Sequence, residues 1–140
     1  MNDIKLALDA EEEEAFRFLD GRLQIGRLFV KNQRSEIMYW GRGAQELFGY
    51  TEKEALGQVS HELLKTAFPN SLHAVEWSIL KTGEWEGELT HMRKGDRLIT
   101  VGCHQKLHER PGRHLPIIVE VSVRISKDQE GWRLVREPRK

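Results

Sequence analysis

Several familiar signals are missing from this sequence. Cysteine occurs once, at position 103, which excludes an internal disulfide and any zinc cluster built on thiolates. No apolar run approaches the roughly 18 residues a membrane-spanning helix needs, and no secretory hydrophobic segment follows Met1. Neither sign of charge is in surplus, since 22 Lys and Arg balance 22 Asp and Glu. Nonspecific binding to nucleic acid or to an anionic membrane runs on excess Lys and Arg, so the balance argues against both partners. Gly-x-Ser-x-Gly, a Gly-rich phosphate loop and His-Glu-x-x-His are all absent. Carboxylates abound, yet nothing sets two of them apart as an acid–base pair. The expectation is a chain that is not itself an enzyme.

What remains is enough for one ordinary domain. The 140 residues are 39% hydrophobic and 31% charged, with four Trp and five Phe, so a real core can be buried. The reading is a single cytoplasmic domain. Its first twenty residues carry Asp3, Asp9, Glu11 to Glu14 and Asp20 against Lys5 and Arg17. Ile4, Leu8, Ala15, Phe16 and Leu19 recur at three- and four-residue spacings, which predicts an amphipathic helix stopped near Gly21. The Glu run reads as its solvated face.

Two short strands are predicted next, Leu23 to Lys31 and Glu36 to Trp40, joined by the turn-rich Asn32-Gln33-Arg34-Ser35. A helix over Arg42 to Phe48 should close on Gly49. Thr51-Glu52-Lys53-Glu54 is a capping box that opens a second short helix. Ser60 can cap a third, through about Ala67, and Asn70 or Ser71 a fourth, running to Thr82 before Gly83. The period then changes to two. Trp85, Gly87, Leu89 and His91 form one row; Ile99, Val101, Cys103 and Leu107 a second; Ile117, Val119, Val121, Val123 and Ile125 a third. Each row predicts a strand with one apolar face. The fold class is therefore α+β, a five-stranded antiparallel sheet with short helices on one face and an N-terminal amphipathic helix. The stretch after Ile125 reads as a polar tail.

Particular words in this order resemble the PAS domain of bacterial signal-transduction proteins. They are Ile37-Met38-Tyr39-Trp40, Gly43-Ala44-Gln45-Glu46-Leu47-Phe48-Gly49-Tyr50 and Thr51-Glu52-Lys53-Glu54-Ala55-Leu56-Gly57. Thr82-Gly83-Glu84-Trp85-Glu86-Gly87-Glu88-Leu89 and Arg93-Lys94-Gly95-Asp96 follow. The resemblance divides the chain into a dimerisation helix over 1–22, a PAS domain over 23–126 and a tail over 127–140. Gly41 stands where the family commonly has Asn, and Arg124-Ile125-Ser126 where it often has Asp-Ile-Thr. With no long signalling helix after it, the reading is either a free-standing PAS protein or a chain whose output domain lies elsewhere. The Asn-Cys-Arg-Phe-Leu word of flavin-binding relatives with a photoactive cysteine is absent. That argues against covalent flavin photochemistry, and no cofactor is required by the sequence.

Polar residues on apolar faces mark the candidate pocket. Leu72, Val75, Ile79 and Leu80 define one arc of the fourth helix, with Glu76 inside it and His73, Trp77 and Leu80 along its edge. Gln105 interrupts one apolar strand row and His91 extends another. A buried polar side chain is costly unless paired, and the resemblance directs these groups toward the cavity between helix and sheet. The candidate ligand pocket is thus His73, Glu76, Trp77, Leu80, His91, Val101 and Gln105. The candidate dimer interface is Leu8, Phe16 and Leu19. His104, His108 and His114 are near one another, but on a polar face beside a loop, so they read as solvated and no metal site is assigned. Cys103 reads as a small buried thiol.

What the resemblance implies is a sensory module that binds a small molecule, a protein partner or both. It would form a homodimer and bias an output such as a histidine kinase by population shift. One alternative is a heme-based gas or redox sensor with His73 as axial ligand. It rests on spacing, since the family's axial histidine precedes the helix-ending Thr by nine residues, as His73 precedes Thr82. A ligand-free dimerisation domain is the other.

Overall fold

The computed structural model describes residues 8–23, 26–112, 115–128 and 131–134. The elements run α1 (Ala10–Arg22), β1 (Arg27–Lys31), β2 (Ile37–Trp40), α2 (Arg42–Phe48), α3 (Glu52–Ala55), α4 (Ser60–Leu63) and α5 (Leu72–Thr82). Then come β3 (Glu84–Arg93), β4 (Arg97–His108), β5 (Ile117–Asp128) and β6 (Gly131–Leu134). One antiparallel sheet has the order β2-β1-β5-β4-β3, with β6 paired to the end of β5. The expected α+β sheet with its short helices is present. The first predicted strand and the third apolar row lie side by side near its centre, because β1 pairs with β5.

Most helix ends follow the local chemistry predicted for them. Gly49 and Gly83 close α2 and α5 at φ of 85° and 89°, a left-handed conformation that costs a residue without Cβ nothing. Thr51 and Glu54 form the capping box of α3, and Ser71 caps α5 by accepting from the Ala74 N–H. Ser60 differs. It opens α4 from inside the helix, behind Val59, and its N–H donates to the Ser35 carbonyl at 2.8 Å. That bond docks α4 onto the β1–β2 turn and leaves it one turn long. The stretch after Ile125 also differs from the polar tail the sequence predicts, since β5 continues to Asp128 and β6 returns along it. The first strand is shorter than expected, starting at Arg27.

A core lies on each face of the sheet. On the inner face Phe29, Trp40 and Phe48 form an aromatic cluster, with ring centroids 5.4–6.1 Å apart. Ala44, Leu47, Leu64, Leu89, Ile99 and Val101 complete that core. Such ring pairs add about 0.5–1.5 kcal/mol each beyond their buried area. The Trp40 indole N–H donates to the Tyr50 carbonyl at 2.8 Å, so the buried ring carries no orphan donor. The outer face buries Leu28, Val30, Tyr39, Ile117 and Val119 beneath α1, whose Phe16 stacks 6.0 Å from Tyr39.

Helix α1 begins one residue after Asp9, which forms a capping box with Glu12. The same Glu12 carboxylate receives two hydrogen bonds from Arg110, at 2.8 Å and 2.6 Å. At the other end Tyr39 Oη donates to Asp20 Oδ2 at 3.1 Å. Burial, then the adjacent Asp20 carboxylate, pushes the Tyr39 hydroxyl well above its ordinary pKa. The helix is thus held at both ends to the loop and strand beneath it. Ile4 of the predicted helix lies outside the described residues. Glu12 is more than part of a solvated face, whereas Glu11, Glu13 and Glu14 are exposed.

Candidate functional site

Strand β5 explains the site. Its apolar row, Ile117, Val119 and Val121, lies on the outer face under or beside α1. The alternate row, Ile118, Glu120 and Ser122, therefore points inward, and all three are buried. The usual reading of such alternation puts the polar residues in water. Here α1 covers the apolar side, and the polar side closes the interior. Strand β1 repeats the pattern, with Leu28 and Val30 outward and Phe29 and Lys31 inward.

Registers across the sheet bring the inward polar groups together. Gln105 pairs with Glu120, and Cys103 with Ser122. The Lys31 ammonium donates to Glu120 Oε1 at 3.0 Å, with both side chains almost wholly buried. On β3 His91 is 2% exposed. Its Nδ1 lies 2.8 Å from Thr66 Oγ1, and its ring meets Phe48 edge-on at 5.4 Å. Burial holds the His91 pKa down at about 4, so the imidazole is neutral at pH 7. Burial, and Glu120 beside it, push the Cys103 thiol up, so it stays protonated. Gln105 Nε2 reaches Cys103 Sγ at 3.8 Å.

These groups surround a small cavity between the inner face and α4 with the segment after it. Lys31, Thr66, His91, Gln105, Glu120 and His61 supply its polar lining, and Phe29, Leu64, Phe68 and Leu89 its apolar walls. The room for a water's centre is about 10 Å³, which is the space of one water molecule. On three of its lining residues a buried side-chain atom has no hydrogen-bond partner: His91 Nε2, Gln105 Oε1 and His61 Nδ1.

Of the predicted pocket residues, His91 and Gln105 line this cavity, whereas Val101 is buried in the inner-face core and does not line it. The helix residues are not. His73 is exposed, Trp77 is 58% and Leu80 66% exposed, and Glu76 is half-buried at the edge of the helix. Helix α5 docks through a narrow strip, Val75 and Ile79, which packs on Ile118, Phe68, Trp85 and Leu107. His73, Trp77 and Leu80 share the opposite side, where a wider arc had been expected to bury them. His73 thus faces away from the interior and the cavity has no room for a macrocycle, so the heme reading does not fit these residues. The dimer residues divide. Leu8 and Phe16 pack on the chain's own sheet, while Leu19 stays 43% exposed. His104 forms a surface contact with Glu84 at 2.8 Å, His108 is exposed, and His114 lies outside the described residues.

Lys31, Glu120, Ser122, Thr66 and His61 were not singled out from the sequence. Glu120 alternates with a five-residue apolar row, a pattern that a solvated strand face shares. The fold and the sequence now agree on a class. The sequence model of the PAS fold matches residues 22–135, and the chain belongs to the PAS family. No curated protein matches it.

Solved structures place the fold in the same company. A PAS domain from Colwellia psychrerythraea superposes with a TM-score of 0.66 at 19% identity, covering 86% of this chain and 100% of that one. The Rhodobacter sphaeroides LOV protein gives 0.69 at 16% identity, with 88% and 72% covered. The LOV domain of the Erythrobacter litoralis EL346 blue-light activated histidine kinase gives 0.59 at 17% identity, with 74% and 97% covered.

Proposed function

We propose that the chain is a regulatory PAS module that couples what its inner cavity holds to the seating of α1, and through α1 to an output protein. One observation carries this reading. Consecutive residues of β5 serve both places, with Glu120 lining the cavity and Val119 and Val121 supporting α1. A change in the bonding of Glu120 therefore reaches the helix seat without an intermediary. The output in this reading is a histidine kinase of the cytoplasm, as in the blue-light activated kinase whose LOV domain this fold resembles. The chain itself contributes no catalysis, and a second copy pairs with it through α1 and the outer sheet face.

Hydrogen exchange on the Glu120→Gln variant tests the coupling. Exchange in α1 should quicken relative to β3 and β4, which share the cavity but not the helix seat. A change confined to the inner strands, with α1 exchanging as before, would leave only a ligand-free dimerisation domain.

A further inference from the structure

Strand β3 lies at one edge of the sheet, with β4 on its other side. In an antiparallel edge strand every second residue turns its N–H and C=O away from the sheet. Thr90 is one of these, since it exchanges both backbone bonds with Ala67, and the Met92 N–H continues the row to the Leu64 carbonyl. At the opposite end the Glu84 carbonyl accepts from the Ser78 and Thr82 hydroxyls, each at 3.0 Å. Period two leaves Glu86 and Glu88 between them. Neither has a backbone partner on that side among the described residues. The chain covers its own edge at both ends and leaves a slot open in the middle.

We propose that this slot takes up a short extended segment of another protein as an added strand, one with Lys or Arg on either side of an apolar residue. Strand addition draws affinity from main-chain bonds and specificity from alternate side chains. Residues paired across a ladder share a face, so the guest residues opposite Glu86 and Glu88 stand beside those carboxylates on the outer face. Both glutamates are exposed, and neither forms an ion pair among the described residues. Across the ladder on β4 they meet only His104, which is already bonded to Glu84, and Gly102. Basic guest residues supply the missing counter-charges. The guest residue opposite Gly87 points to the inner face. There the half-buried Trp85 ring lies across Gly87, so close that a Cβ would meet it at 2.6 Å. That ring is an apolar ledge for one aliphatic side chain. A second copy of β3 does not suit the slot, because antiparallel pairing of two such edges sets Glu against Glu.

Nitrogen-15 NMR of the full chain, titrated with the end-blocked peptide Thr-Lys-Val-Lys-Thr, reads the Glu86 and Glu88 amides. Both should shift saturably, and their hydrogen exchange should slow. Thr-Glu-Val-Glu-Thr should bind about tenfold more weakly, as two attractive cross-strand pairs become repulsive. Glu86→Lys with Glu88→Lys, both on exposed side chains, should reverse that preference. The lysine peptide methylated on its backbone nitrogens keeps its charges but cannot donate, and should leave the exchange unslowed. Equal binding of the methylated peptide would reduce the contact to charge attraction and overturn the added strand. Equal binding of the glutamate peptide would overturn the choice of a basic partner. No saturable shift with the lysine peptide would overturn the site, leaving the glutamates as a guard against pairing between edges.

Discussion

Lys31 and Glu120 show how a buried pair conceals its own worth. Removing one partner leaves the other charge in the interior, so Lys31→Met should cost about 3–5 kcal/mol, while Lys31→Met with Glu120→Leu should be near neutral or stabilising. Denaturant unfolding of the two variants checks that order. His91 gives a pH signature of definite sign. The unfolded chain protonates this residue near 6.5, the folded chain only at about 4. Its contribution is therefore complete above about 6.5 and is lost as pH falls, reaching about 3 kcal/mol at and below pH 4. Stability curves at pH 7, 5.5 and 4 should show that slope, and His91→Phe should flatten it. His91 and Gln105 were legible in the sequence because each breaks or extends an apolar row. Lys31 and Glu120 were not, because a charge alternating with Val and Ile is also what a solvated strand face looks like.

Helix α1 is fixed less by its own pattern than by what it touches. Glu12 serves its capping box and Arg110 at once. A cap contributes about 1 kcal/mol and a charge-assisted hydrogen bond about 1.5–3, so Glu12→Ala should cost about 2–4 kcal/mol. The loss should show as proteolytic cleavage within α1. At the other end, the Asp20 carboxylate and the Tyr39 hydroxyl occupy the space a Gly41 side chain would need. Gly41→Ala should therefore loosen the Asp20–Tyr39 bond at about 1–3 kcal/mol, visible as faster exchange at the end of α1. Gly41 thus replaces the family's Asn for a steric reason, since the carboxylate of α1 fills that place. The helices α2, α3 and α5 were legible because caps and stop glycines act within a few residues of chain. The orientation of α5 was not, because the width of a helix's buried strip is decided by the neighbour it meets. On α5 that neighbour is a ridge from Ile118 to Trp85 that admits only Val75 and Ile79.

For the whole molecule, the pairing proposed above would seat a second copy on the outer face. Over β3, β4 and β5 that face leaves a shallow trough of about 450 Å³ with Val121, Val123 and Ile125 along it, while on α1 Phe18 is 64% and Leu19 43% exposed. Light scattering at tens of micromolar should give a dimer mass, and Phe18→Glu with Leu19→Glu should reduce it to the monomer. A monomeric mass for the unaltered chain would remove the pairing. The two-sided burial of β5 has a mechanical consequence as well. Sliding that strand by one residue would carry Glu120 beneath the helix and a valine into the polar interior, so translation along its axis is forbidden. The motion left to it is bending. Two probes at the ends of β5 should keep their separation when the cavity changes its occupant, while a probe on α1 moves nearer to or farther from them. In such a wall stiffness and sensitivity are the same property, because what cannot slide must flex.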